Sequence, residues 1–525
     1  MRSGPFHVLS AVGDKAAREQ MAQLEQFRHA LGSALGKSDL HLVWPVRVLV
    51  LKNPGAQTLE LGRDAYMTSN VDLTKLARLL IDQNTQRLPS DIEEGLIALF
   101  STLQVSGTHI TLGTPPAPAA RTRAWARMHL LNVDPAYAGR IRVMINNLEQ
   151  GSDLDVAYRN AFEKNAAQID KQLDGYVAAG NFGTATVSAR ALSALRDFHP
   201  ATADAITSQL ALADLALATH SPTASKAYTA LHGPEASEGL GLIALEQKHA
   251  SQAAGLFASA IESETKSART YFEAGLLESN TTKARKSFHK ASELNPLWAE
   301  PLYRAALLDS DLDTAAGLLK KAAQIDPRNV EYWQALAKTE TAATRFIEAQ
   351  KAWGGAERAA ATIEERDRIR QVRLQLQGER ADHEAAERRR KAEEEAADLE
   401  RVKNQSMAAI HAAEAASNKK MNPKGEIAPK AVEWWSGPEA GGKVDGTIQR
   451  FDCLGRQGRL VIQAGDGTTI QLLVRDASQL VVSGGSELTL ACGAQKAARR
   501  VLVLYNPKPD RKSGTAGEAV SIEFR

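Results

Sequence analysis

The sequence predicts a multidomain, mainly α chain: an N-terminal α+β region, an α-solenoid of short helix pairs, a charged helix, and a small all-β barrel or sandwich. Three observations carry this reading. The chain has 525 residues, more than one hydrophobic core sustains, and divides into about three or four domains. Its hydrophobic fraction of 43% includes only 7 Trp, 9 Tyr and 12 Phe, so Ala, Leu and Val carry it, a helix-leaning mixture. Finally, the hydrophobic period changes along the chain, from mixed, to helical, to strict alternation after residue 431.

Charge and cysteine content narrow the function classes. Lys plus Arg number 64 and Asp plus Glu 62, a formal charge of +2, which argues against a nucleic-acid or membrane-surface binder. No apolar run approaches the about 18 residues of a transmembrane helix. Two cysteines, Cys453 and Cys492, exclude a disulfide-rich scaffold and a Cys-built zinc site. Met1-Arg2-Ser3-Gly4-Pro5 leads into Phe6-His7-Val8-Leu9-Ser10, which reads as a first strand and not as a targeting segment. The expectation is therefore a cytoplasmic protein, or a periplasmic or envelope-associated one whose true start lies upstream.

Residues 1–180 form the α+β domain. Met21, Leu24, Phe27 and Leu31 recur at helical spacing across 14–36, and Val46-Arg47-Val48-Leu49-Val50-Leu51 ends at the turn Asn53-Pro54-Gly55 as a strand does. Helical patterns follow at 71–83, 90–104, 121–132 and 153–178. Residues 181–233 read as a helical connector, with a weak repeat copy around Ala224 to Leu231.

Residues 234–363 contain an internal repeat. Tyr271, Ala274, Gly275, Ala284, Phe288, Ala291 and Pro296 recur as Leu302, Ala305, Ala306, Ala315, Leu319, Ala322 and Pro327. The next unit offers Trp333, Leu336, Ala337, Ala349, Trp353 and Ala356, and the preceding one Leu240, Gly241, Ala253, Phe257 and Ala260. The units are 234–267, 268–298, 299–329 and 330–363, the middle two lacking three residues between their helices. This pattern resembles the tetratricopeptide repeat, in which small residues let paired helices approach and large ones fill the gap. The resemblance implies that the first helix of each unit lines a groove for a protein or peptide. The groove residues would be Arg269, Phe272, Glu273 and Leu276, then Glu300, Tyr303, Arg304 and Leu307, then Glu331, Gln334 and Lys338. Packing of Phe272 and Tyr303 between repeats is the competing reading.

Residues 364–430 are a charged helix and linker. Glu384, Glu387, Arg388 to Lys391 and Glu393 to Glu395 interleave both signs without an apolar stripe, so a solvated spacer is expected, with a coiled coil or partner helix as the alternative. Asn422-Pro423-Lys424-Gly425 ends it. Residues 431–525 switch to period two, with runs at 443–453, 459–464, 469–475, 479–483, 487–492, 499–505 and 518–525. Cys453 and Cys492 sit in similar contexts near two strand ends. A disulfide is the first reading and two buried thiols the second, and a bridge would favour an oxidising compartment.

The most informative stretch is 71–105. Leu88-Pro89-Ser90-Asp91-Ile92-Glu93-Glu94-Gly95-Leu96-Ile97-Ala98-Leu99-Phe100 resembles the second zinc-binding helix of the gluzincin metallopeptidases. Ala124-Trp125-Ala126-Arg127-Met128-His129-Leu130-Leu131 resembles the buried helix after their active site, and Ala157-Tyr158-Arg159-Asn160-Ala161-Phe162 and Leu173-Asp174-Gly175-Tyr176-Val177 the closing helices. Such an enzyme needs HExxH on the preceding helix, two His on one face holding the metal and a Glu activating its water. Thr74-Lys75-Leu76-Ala77-Arg78 stands there instead. Thr74 and Arg78 take the His positions and Lys75 that of the general base, so the resemblance implies a domain without catalytic residues, metal or cofactor. Arg78 or Lys75 is expected to pair with Glu93 or Glu94, replacing the zinc as a cross-helix tie. His129, beside Trp125 on an apolar helix, reads as a core histidine. The resulting function is a non-catalytic interaction scaffold. The alternatives are a zinc metallopeptidase with a non-standard site, and an envelope assembly factor acting through the β-domain.

Overall fold

The computed structural model describes residues 1–421, 440–455, 457–476, 480–484 and 492–525, in two compact units, Met1–Glu394 and Glu395–Arg525. The chain is mainly helical. It opens with β1 (Arg2–Ser3), β2 (Phe6–Ser10), α1 (Asp14–Leu35), β3 (Val46–Val50), β4 (Glu60–Leu61) and β5 (Tyr66–Thr68). These strands form a sheet in the order β1-β2-β3-β5-β4, with β2, β3 and β5 parallel. Met21, Leu24, Phe27 and Leu31 of α1 are buried, as their spacing predicts, in one core with Phe6, Val8, Val46 and Val48. Then come α2 (Leu73–Asn84), α3 (Ser90–Phe100), β6 (Gln104–Ser106), β7 (His109–Leu112), α4 (Arg123–Val133) and α5 (Ile141–Glu149). The segment closes with α6 (Leu154–Phe162), α7 (Ala166–Ala179) and β8 (Ala185–Val187), which joins β6 and β7 in a small antiparallel sheet.

Two sequence expectations need correction here. The helical run 153–178 is two helices, α6 and α7, because Glu163 takes a left-handed conformation (φ 60°) and Asn165 caps a new start with Gln168 in a reciprocal capping box. The sequence predicts β2 and β3 but not helix α5 or the strands β1 and β4 to β8, since elements of two to nine residues offer too few positions for a period to show.

The connector holds α8 (Ala194–Asp197), α9 (Ala205–Ala218) and α10 (Ala224–Thr229). Four antiparallel helix pairs follow: α11 (Pro234–Glu246) with α12 (Ala250–Glu262), α13 (Ala268–Leu277) with α14 (Thr281–Leu294), α15 (Glu300–Leu307) with α16 (Leu312–Ile325), and α17 (Val330–Ala342) with α18 (Phe346–Ala359). Small residues permit the close approach within pairs. A Cβ at Gly241 would stand 2.5 Å from the Phe257 ring and one at Gly275 would stand 2.7 Å from Phe288, below any real contact distance.

Helix α19 (Ile363–Met421) is not solvated throughout, as the charge pattern had suggested. Ile369 and Leu376 are buried against Leu336, Ala337 and Trp353, so its first turns cover the open end of the last helix pair. This is the covering a repeat array needs at its terminus. Asn422 to Gly425 lie outside the described residues.

The second unit carries β9 (Gly442–Leu454), β10 (Gln457–Ala464), β11 (Thr469–Val474), β12 (Val481–Ser483), β13 (Gly493–Asn506) and β14 (Gly517–Phe524). Its sheet runs β11-β10-β9-β13-β14-β12, and a further parallel pairing of β11 with β14 joins Leu472 to Gly517. Val444, Ile448, Leu460, Ile462, Leu472, Val501, Val503 and Ile522 make one buried cluster, the inward set that strict alternation predicts. Cys453 and Cys492 are disulfide-bonded, with Cα atoms 5.6 Å apart. The predicted run 487–492 lies, apart from Cys492, outside the described residues.

Candidate functional site

Asp72 starts α2 by accepting from the backbone N–H groups of Thr74 and Lys75. Helix α2 then packs against α3 so that Arg78 faces Glu94. The Arg78 guanidinium donates to both Glu94 oxygens at 2.8 Å each. The hydrogen bonds from Arg78 hold the Glu94 carboxyl below its ordinary range. Lys75 turns elsewhere, to Glu60. Thr74 is exposed. A threonine hydroxyl, a lysine and a guanidinium clamped on Glu94 do not fit a zinc ion. Among the described residues no group of three or more His, Cys, Asp and Glu side chains is arranged to hold a metal.

His129 is fully buried. Its Nε2 lies 2.9 Å from the Gly113 carbonyl, which can only accept, so the neutral ring carries its proton there and Nδ1 accepts from Tyr176 Oη at 2.7 Å. Burial lowers its pKa, and the ring packs on Trp125 and Phe182. It is a core histidine.

Glu93 has a partner that sequence reasoning missed. Arg328, in the turn between α16 and α17, enters the region between α2 and α3 and uses its whole guanidinium there. Nη2 donates to Glu93 Oε2 at 2.6 Å and to Thr85 Oγ1 at 3.0 Å, Nε donates to the Thr85 carbonyl at 3.0 Å, and Nη1 reaches Asp82 and Glu93 Oε1. Burial raises the Asp82 pKa, and Arg328 opposes that rise.

Arg328 is one of a series. The residue at or just before the first helix of each pair touches the N-terminal domain. Glu238 on α11 accepts from Arg63, which also binds Asp214 of α9. Arg269 on α13 donates to the Gly62 carbonyl. Asn295, before α15, donates to the Val43 carbonyl at 2.9 Å, and Trp298 packs edge-on against Trp44 with ring centroids 5.0 Å apart. At the end of α18, the Ala359 carbonyl accepts from Arg87 at 3.0 Å. One edge of the array is thus docked along the domain. A cleft of 740 Å³ remains between them, lined by Arg78, Asp82, Arg87, Trp298, Glu331 and Tyr332.

The predicted groove residues divide accordingly. Phe272 is buried against Phe288 and Trp298 and belongs to the packing of the array. Arg269 serves the docked edge, and burial raises the Glu273 pKa with Arg269 acting against it. Tyr303 stacks on Tyr332 at 5.0 Å, while Arg304 and the Tyr332 hydroxyl both donate to Glu300. Gln334 and Lys338 border a cleft of 700 Å³ under α19 with Trp353 and Ile369. Leu276, Leu307, Glu331 and Lys338 are exposed.

No protein-family model matches the sequence, and no curated protein matches it. Solved structures similar to it are helical-repeat proteins. MamA is 19% identical over 28% of this chain and 94% of its own, with a TM-score of 0.25. YrrB, described as a TPR protein with an unusual peptide-binding site, is 14% identical over 32% of this chain and 92% of its own, with a TM-score of 0.28. MamA residues 41 to the end from Desulfovibrio magneticus RS-1 are 16% identical over 31% of this chain and all of their own, with a TM-score of 0.26. Among the described residues no helix is long and apolar enough to cross a membrane.

Proposed function

We propose that the chain is a non-catalytic scaffold that holds an extended peptide or helix of a partner protein along the open face of its repeat array. The observation that carries this is a column of side chains. Leu276 and Leu307 occupy the same position of successive units and remain 47% and 52% exposed. Lys338 continues the column on α17 and is also exposed. Apolar side chains at one repeat position, left out of the packing that consumes Phe272, suit anchors of a helix or strand better than a charged polymer. The N-terminal domain is read as an inactive peptidase-like fold whose lost metal tie is taken over by Arg78 and Glu94. The C-terminal sheet is read as a barrel, because the β11–β14 pairing joins the first strand of its order to the last but one.

A photo-crosslinking residue at position 338, used in native extract, tests the scaffold reading. It is expected to capture one partner segment, and the pair Leu276→Glu and Leu307→Glu is expected to abolish capture without lowering the melting temperature. Capture that survives both substitutions, or a metal-dependent peptidase activity of the purified chain, would overturn it.

A further inference from the structure

The outer part of α19 has an unfilled side. Every side chain from Ala386 to Met421 is exposed, and these include Leu399 (70%), Val402 (53%), Met407 (46%) and Ile410 (50%). They are not scattered. Ala385, Ala392, Ala396, Leu399 and Ile410 fall along one line of the helix, with Val402 and Met407 flanking it on either side, a seam between charged flanks. A helix that needed only to be a solvated spacer would have no use for four large apolar groups in register.

The charges beside that seam are ordered in a way that identifies its occupant. Arg388, Arg389, Arg390 and Lys391 are four successive cations; Ala392 follows, and then Glu393, Glu394 and Glu395. The sequence inverts its sign about Ala392. Within the helix Arg390 lies 3.7 Å from Glu387 and 3.7 Å from Glu394. A parallel, in-register partner of the same sequence would set cation against cation. An antiparallel copy crossing at Ala392 sets Arg389 against Glu395 and Lys391 against Glu393 of the second copy, and Ala385 against its Leu399, while Arg390 and Glu394 stay on the far face. That arrangement is a closed twofold, in which one surface serves both sides.

We propose that α19 is a self-association surface and that its partner is α19 of a second copy of this chain, antiparallel and centred on Ala392. Burial of Leu399, Val402 and Ile410 supplies the attraction, and the inverted charge blocks set direction and register.

Sedimentation of the full chain at low ionic strength tests this, with circular dichroism to verify helix content. The wild type is expected at twice the chain mass. Reversing the basic block (Arg388→Glu, Arg389→Glu, Arg390→Glu, Lys391→Glu) is expected to give the monomer, and reversing the acidic block as well (Glu393→Lys, Glu394→Lys, Glu395→Lys) to restore the dimer. Direction is read by single cysteines. Ala392→Cys is expected to crosslink between copies, whereas Leu399→Cys is expected to crosslink only in a mixture with Ala385→Cys. A monomeric wild type, a dimer indifferent to the basic-block reversal, self-crosslinking of Leu399→Cys, or a monomer that associates only with a different protein would each overturn the proposal.

Discussion

Arg328 donates to both carboxylate oxygens of Glu93, across 235 residues of sequence, at 2.6 and 3.2 Å. Both residues are only 7% exposed. A buried pair of this kind adds little over an apolar substitute, but removing one member strands the other in a poorly solvated site. Arg328→Met should therefore lower the stability of the first unit by about 3–5 kcal/mol. Adding Glu93→Leu should recover much of that loss. Denaturant melts of the two variants check both statements, and a loss well under about 1 kcal/mol for Arg328→Met would remove Arg328 as the tie between array and domain.

The neighbouring pair behaves differently because water reaches it. Arg78 and Glu94 side chains are 45% and 52% exposed, so solvent screens their bidentate contact, and Glu94→Ala should cost about 1 kcal/mol or less. The same residues predict the metal content. Thr74 and Arg78 offer no neutral imidazole, so elemental analysis should find far less than one zinc per chain, unchanged by Glu94→Ala. A stoichiometric zinc lost in that variant would contradict the pairing of Arg78 with Glu94.

His7 gives the first unit a pH dependence with a definite sign. It stands on β2 between Arg2 of β1 and Arg47 of β3, and burial, with these two cations acting in the same direction, lowers its pKa to about 4. An unfolded histidine titrates near about 6.5. Between these values the unfolded chain binds the extra proton, so stability is full above about pH 6.5 and declines as pH falls toward 4. Substitution of His7→Asn should flatten the unfolding midpoint across that window. A midpoint that still falls as steeply would assign the dependence to another group.

The repeat array was legible in the sequence and its docking was not, for one physical reason. Gly275, Phe288 and Ala291 are read from spacing because both helices of a pair lie within about 30 residues and share a period. Arg328 sits at a turn, has no period, and finds Asp82 and Glu93 246 and 235 residues away. Phe272 was placed in the groove from its position in the unit. Trp298, supplied by the next inter-repeat turn, closes over it at a centroid distance of 4.5 Å. That Thr74 to Arg78 is no HExxH motif is legible because it is a matter of residue identity, and so is the tie from Arg78 to Glu94, a cation and a carboxylate facing each other from neighbouring helices.

Helix spacing in the array supplies the last prediction. Gly275 faces the Phe288 ring, and an added Cβ would meet it at 2.7 Å. In an exposed helix Gly→Ala is favourable by up to about 1 kcal/mol. Here the methyl group must push α13 from α14, and the ring it displaces lies under Phe272 at 5.6 Å, so overpacking should prevail by about 1–3 kcal/mol. Gly255, on α12, has no atom within 4 Å of the corresponding Cβ position. Gly255→Ala should therefore stabilise the array, or leave it unchanged, while Gly275→Ala destabilises it. The opposite signs separate steric closure from helix propensity in one thermal-melting experiment. If both variants are stabilised, α13 and α14 have room to separate, and the close approach of the helix pair is not what selects glycine at position 275.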